Sequence, residues 1–166
     1  MAGGKYVDVI ITVDVDNDEA QDRLQAMRDR AKNLKPVLRW AGEKLERAYS
    51  ANFSTMGSFS ARAMLKGAWP PLSPAYAAWK MSRFPGAPTL VRSGGLLKEV
   101  TTISSNPAST MNDMEAEFAV VGKVPKFHQY GTETMPARKI IFVPRTFDQD
   151  VADVTGKFIK FGSKIT

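Results

Sequence analysis

Residues 128–142, HQYGTETMPARKIIF, contain the only histidine of the chain, two residues before a Tyr-Gly-Thr turn. An imidazole beside a glycine turn serves in catalysis, in metal binding or in packing. Each role needs different partners elsewhere in the sequence, so the rest of the chain has to distinguish them.

Most catalytic and metal-binding partners of His128 are missing from the sequence. The chain has no cysteine, which excludes disulfides, thiolate catalysis and cysteine-ligated zinc. One histidine cannot supply a two-histidine metal site, and the chain has no Gly-x-Ser-x-Gly elbow. A serine and a carboxylate brought to His128 by folding stay open as a hypothesis. We expect no enzyme, no metal and no cofactor.

Two other motifs fail at their diagnostic positions. Asp14, Asp16 and Asp18 begin like a calcium-binding EF-hand loop, but glutamate stands at its glycine position and glutamine at its final ligand. Gly122 and Lys123 are followed by a valine where a phosphate-binding loop needs a hydroxyl. Neither calcium binding nor nucleotide hydrolysis is supported.

Length and composition favour one globular domain over residues 1–166. A chain of 166 residues with 43% hydrophobic and 24% charged side chains can bury one sizeable core. No apolar run approaches the roughly 20 residues that cross a bilayer, and the start lacks a signal-peptide cleavage site. We expect a protein that is cytoplasmic where it is made.

The net charge of +6 is distributed unevenly, since no acidic residue lies between Glu46 and Glu99. The basic residues of this window are Arg47, Arg62, Lys66, Lys80, Arg83, Arg92 and Lys98. A segment of one sign favours an anionic partner, either a nucleic acid or an acidic protein surface, although a solvated basic loop has the same composition.

The N-terminal third predicts a strand and then a long helix. Residues 6–15 alternate between apolar and polar side chains, as a half-buried strand does. A stripe of apolar residues at helical spacing then predicts one helix to about residue 52, kinked at Pro36. The stripe comprises Leu24, Met27, Ala31, Leu34, Leu38, Ala41, Leu45 and Ala48.

Residues 53–95 predict a long irregular loop that holds one short helix, at about residues 74–83. The loop is rich in aromatic side chains, which loops seldom carry unless something buries them. Those of the candidate interface are Phe59, Tyr76, Trp79 and Phe84. Basic and aromatic residues together suit either a single nucleic-acid strand or the core of a protein interface.

The C-terminal part predicts extended segments at about residues 97–104, 116–121 and 139–143, followed by an amphipathic helix. Phe147, Val151, Val154 and Phe158 share one face of that helix. The predicted fold class is therefore α+β, with a mainly antiparallel sheet of about four strands. A long N-terminal helix and the C-terminal helix would pack on the sheet.

Four short motifs occur in order over residues 69–143, namely WPPLSPAYAAWK, TLVRSGGLLKEV, FAVVG and FHQYGTETMPARKIIF. Together they resemble the phage virion morphogenesis family, the tail-completion and head-tail joining proteins of tailed bacteriophages. The family residues matched are Trp69, Pro71, Leu72, Ser73, Leu90, Arg92, Ser93, Gly94, Leu96, His128, Gln129, Gly131, Met135, Pro136, Ala137 and Arg138. The segment around Phe84 and the residue at Phe127 depart from the family pattern.

The resemblance implies a structural protein of the phage neck or head-proximal tail, located in the virion. Its expected partners are other neck and tail proteins, such as an adaptor, a tail terminator or the tail tube. It implies a homo-oligomer in the assembled particle, near DNA and away from membranes. A tail-terminator role and a small basic nucleic-acid-binding protein are the alternatives.

The opening stretch then predicts a structural corner. Gly131 allows a backbone angle that other residues resist, and Pro136 fixes the return of the chain. Arg138 is expected to anchor the entry to the last strand by holding carbonyls or a carboxylate, with phosphate binding as the other use of a guanidinium. His128 becomes a hydrogen-bonding residue of that corner.

Overall fold

A computed structural model describes residues 17–59 and 68–162 of the chain. Within these ranges the helices are α1 (Asp18–Ala31), α2 (Lys35–Ser54), α3 (Pro74–Arg83), α4 (Gly95–Thr101), α5 (Lys123–Tyr130) and α6 (Phe147–Phe161). A 3-10 turn spans Ile103–Ser105, and the strands β1 (Thr110–Met111) and β2 (Ala116–Glu117) form one antiparallel hairpin.

The predicted four-stranded sheet is wrong for the described residues, which are mainly helical. The first predicted strand, residues 6–15, lies outside them. Residues 97–104 form most of α4 and the start of the 3-10 turn. A helix places Leu96, Leu97 and Val100 on one side, where all three pack into the core, whereas a strand would alternate them across two faces. Of residues 116–121, only Ala116 and Glu117 pair with another strand.

Residues 139–143, predicted as an extended segment, bend at Ile141 and belong to no sheet within the described ranges. Side chains take the place of a neighbouring strand. The Gln129 side chain accepts the N–H groups of Ile140 and Ile141 at 2.9 and 3.0 Å and donates to the Ile141 carbonyl at 2.8 Å. The Lys139 carbonyl accepts the Asn52 amide at 3.0 Å and the Trp69 indole N–H at 2.8 Å. A buried backbone needs hydrogen bonds, and these side chains supply them.

The prediction of a single kinked N-terminal helix is also wrong, because α1 ends at Ala31 and a separate helix, α2, begins at Lys35. Pro36 lies in the first turn of α2, where its missing N–H removes no helical hydrogen bond. The Leu34 N–H donates to the Asp113 carbonyl at 2.6 Å, and the Lys35 amine lies 2.7 Å from the Asp113 carboxylate. The connection between α1 and α2 therefore packs against the β1–β2 hairpin.

The core lies along one face of α2. Leu45, Tyr49 and Phe53 are buried there against side chains from α4, from the 3-10 turn and from the extended segment. Phe53 packs edge-on against Trp69 with ring centroids 5.2 Å apart, and Tyr49 meets Phe142 at 5.6 Å. Each fully buried side chain of this size contributes about 1.5–3 kcal/mol relative to exposure.

Two predicted helices are confirmed. The short helix in the predicted loop is α3, and the C-terminal amphipathic helix is α6. Phe147 of α6 packs against the core, and the Asp150 carboxylate lies 2.8 Å from the Lys44 amine of α2. α6 thus packs against α2.

Replacing Gln129 by leucine removes three hydrogen bonds to the extended segment at nearly constant side-chain size. We expect the free energy of unfolding to fall by about 2–4 kcal/mol, since buried backbone groups lose their partners. Urea unfolding followed by tryptophan fluorescence measures this. The matched control is Gln149→Leu on exposed α6, where the amide bonds only Asp153. A Gln129→Leu loss no larger than the control's would contradict the role of Gln129.

Candidate functional site

A cleft of about 520 Å³ opens between α3, α4, α5 and the corner at residues 131–138. Three of the four motifs that carry the family resemblance meet there, although they are far apart in sequence, whereas residues 118–122 do not line the cleft. The matched residues that line the cleft are Pro71, Leu72, Ser73, Leu90, Arg92, Ser93, Gly94, Leu96, His128, Met135, Pro136 and Arg138. Trp69, Gln129, Gly131 and Ala137 do not line it, and the first three shape the backbone behind it.

Arg138 joins two walls of the cleft. Its buried guanidinium donates from Nε to the Pro70 carbonyl at 3.0 Å and from Nη2 to the Pro71 carbonyl at 2.9 Å. Its backbone N–H donates to the His128 carbonyl at 2.6 Å. The planar fork of arginine fits two neighbouring carbonyls as a single ammonium does not. Arg138 therefore fixes the Pro-Pro segment against the end of α5.

Gly131 makes the corner possible. Its φ is +79°, and a Cβ atom would lie 2.9 Å from both the Ala137 nitrogen and the Met135 carbonyl oxygen. The turn closes by hydrogen bonds between Thr132 and Met135, with the Thr132 N–H donating at 2.8 Å. Both the backbone angle and the close approach require glycine at this position.

His128 is half-buried at the floor of the cleft. Within the described ranges its Nδ1 is buried and has no hydrogen-bond partner. Burial, and then the positive charge of Arg138, hold the pKa of this imidazole below its ordinary value of 6.5. The ring is therefore neutral at pH 7. No serine or carboxylate of the described residues bonds it, so the catalytic grouping left open by the sequence is not assembled there.

The charged side chains around the cleft are mainly basic. Lys80 is only 5% exposed and donates its amine to the Pro88 carbonyl, and burial lowers the pKa of that amine. The exposed Arg92 side chain has no ion pair or hydrogen bond with any residue in 17–59 or 68–162. Glu99 is the carboxylate among the lining residues. The three cationic lining residues, Lys80, Arg92 and Arg138, thus outnumber this carboxylate.

One rim of the cleft is the exposed face of α3. The Tyr76 and Trp79 rings stack with centroids 5.4 Å apart, and Phe84 meets Trp79 at 6.0 Å. Trp79 is 41% exposed and Met81 71%. These three aromatic residues of the candidate interface lie together, whereas Phe59 packs on the core 6.2 Å from Phe142.

The other rim is α5, which the sequence reasoning missed. Val124, Phe127 and Tyr130 are large apolar side chains left exposed on it, and Val124 also lines the cleft. Their spacing by three residues is the signal that predicts a helix face here. From the sequence, the residues around His128 were interpreted as a turn. This interpretation missed the helix that begins at Lys123.

No group of three or more His, Cys, Asp or Glu side chains among the described residues is placed to hold a metal ion. No helix in that part of the chain is both long enough and apolar enough to cross a membrane.

Replacing Gly131 by alanine tests the corner. We expect a loss of roughly 2–4 kcal/mol in the free energy of unfolding, because positive φ and a backbone clash act together. Gly86→Ala is the matched control, since its φ is +76° and nothing lies within 4 Å of an added Cβ. It should lose only about 1 kcal/mol, the cost of the angle alone. Equal losses in thermal or urea unfolding would show that the close approach does not matter.

The lowered pKa of His128 makes stability depend on pH. Because the unfolded state binds a proton at His128 more readily than the folded state, the contribution of His128 to the free energy of unfolding is greatest above pH 6.5. It is lost as the pH falls from there through the folded-state pKa. Urea unfolding at pH 7.5 and 5.5 should show a larger loss for the native chain than for His128→Gln, which lacks the titrating group. Parallel pH profiles would contradict the burial of a neutral imidazole.

Comparison with known proteins yields no relative from which a role could be transferred. The chain matches no protein-family model, no curated protein and no solved structure.

Proposed function

We propose that this chain is a structural protein of the neck or head-proximal tail of a tailed bacteriophage, acting by ordered protein-protein assembly rather than as an enzyme. The observation that carries the proposal is the convergence of three of the four resembling motifs on one cleft. Residues as distant as Pro71 and Arg138 come together around one cleft. Motifs that meet at a surface support a shared binding role more than motifs scattered through a core.

The composition of the rims supports association with other proteins. Trp79, Met81, Phe127 and Tyr130 do not line the cleft, but they expose large apolar or aromatic surface on α3 and α5, the two helices that flank it. Such residues are enriched in interface cores. Burying them against a partner removes apolar surface from water and therefore lowers the free energy of the complex. Basic residues at the cleft add charge that selects an acidic partner surface.

The proposed setting follows the resemblance. The chain would complete the tail or join it to the DNA-filled head, as a homo-oligomer in contact with an adaptor, a tail terminator or the tail tube. It would be made in the host cytoplasm and end in the virion. A tail-terminator role differs only in which neighbour the oligomer caps.

A second candidate function, nucleic-acid binding, has the acid-free window in its favour. In the described part of that window Arg47, Arg83, Arg92 and Lys98 are exposed, whereas Lys80 is buried. Phosphate binding would make the affinity for DNA fall steeply with salt. A salt-independent or undetectable affinity for duplex and single-stranded DNA would remove this candidate.

The assembly proposal is tested in the phage that encodes the chain. Particles made without it should show unjoined heads and tails, or aberrant tails, by electron microscopy. Trp79→Glu should fail to restore joining, with infectivity lower by about 30-fold or more, because a central aromatic anchor contributes about 2 kcal/mol or more. Ala78→Glu, which adds the same charge at an exposed neighbouring position, should restore it.

Both variants should unfold at the temperature of the native chain, so that loss of joining reports the surface. Normal infectious particles in the absence of the chain would overturn the proposal.

A further inference from the structure

We infer that the cleft receives residues 6–16 of a second copy of this chain, so that neighbouring copies exchange N-terminal arms. The inference rests on the proposed assembly function and names the partner of the same site. Three observations carry it: the chemistry of the cleft, the sequence of the segment and the exposure of α1.

The cleft presents apolar walls beside unpaired polar groups. Leu72, Leu90 and Met135 line it, and its volume of about 520 Å³ suits the side chains of a short peptide. Arg92 has no ionic partner within the described ranges, and the buried Nδ1 of His128 has no hydrogen bond there.

The segment has the complementary chemistry. Residues 6–16, YVDVIITVDVD, combine branched apolar side chains with Asp8, Asp14 and Asp16 and contain no cation. In an extended chain successive side chains point to opposite sides, so one side is wholly apolar and the other carries the carboxylates. The apolar side matches the walls of the cleft, and the carboxylates match Arg92 at its mouth.

The N-terminal part of α1, which follows this segment in the chain, is exposed. Every residue from 17 to 26 is exposed, including Leu24 at 64%. Contact with the body begins only at Met27, and Arg30 bonds the Ile159 carbonyl at 2.8 Å. No residue of α1 lines the cleft. A helix of 14 residues is about 21 Å long, so its start lies well beyond the point where it is held. Reciprocal use of such an arm between identical copies is a low-cost route to a closed oligomer.

The absence of cysteine from the chain allows a clean cross-linking test. Two full-length single-cysteine variants, Thr12→Cys in the arm and Ser93→Cys at the cleft, are mixed and oxidised. One of them carries an affinity tag. We expect a disulfide between the two variants, seen as a product of twice the chain mass and identified by mass spectrometry of the linked peptides. Ser105→Cys, exposed but outside the cleft, is the matched control and should link to Thr12→Cys far less.

Charge variants test the complementarity. Adding Arg92→Glu to the cleft partner should lower the yield of the link by roughly fivefold, and Asp14→Arg in the arm partner should restore it. The yield should also fall in high salt, because exposed charges are screened.

The outcomes separate this inference from the proposed function. If the double variant Thr12→Cys/Ser93→Cys links only within one chain, or if the mixed pair links no better than the control, arm exchange is overturned. Head-tail joining that still depends on Trp79 would then leave the assembly proposal standing. A strong link between copies of a chain that is dispensable for head-tail joining would support arm exchange and overturn the assembly proposal.

Discussion

The hydrogen bonds that hold residues 139–141 are the interaction on which the rest of the structure depends. Asn52 comes from α2, Trp69 from the segment before α3, and Gln129 from α5, and all three bond the backbone of this one short stretch. They place Ile140 and Phe142 in the core beside α2. A strand partner would satisfy the same backbone from one side only, whereas three side chains join three parts of the chain at one place.

The cleft is a consequence of that junction. Once residues 139–141 are fixed, the Arg138 guanidinium reaches the Pro70 and Pro71 carbonyls, and Gly131 turns the chain back towards α5. The residues that resemble the phage family therefore divide into two kinds. Some, such as Trp69 and Gln129, hold the frame, while others, such as Leu72 and Arg92, face the opening.

The sequence predicted the helices with clear periodicity and missed the elements whose form depends on distant contacts. α6 was visible because Phe147, Val151, Val154 and Phe158 keep helical spacing. Residues 139–143 look like a strand in isolation, since nothing local reveals that Gln129 replaces the neighbouring strand. Residues 97–104 were ambiguous because a short apolar run fits either a strand or a buried helix. The motifs selected the residues of the cleft, whereas its basic character and the exposed face of α5 needed three-dimensional placement.

The way α3 is attached has a mechanical consequence. Its one buried residue is Lys80, so this helix is held through an amine on the Pro88 carbonyl more than through apolar packing. Elements with few buried apolar contacts open locally at a small fraction of the global unfolding free energy. The aromatic rim is therefore the compliant wall of the cleft, while the wall built by Arg138 and Gly131 is stiff. An incoming segment meets one fixed surface that sets its register and one yielding surface that closes over it.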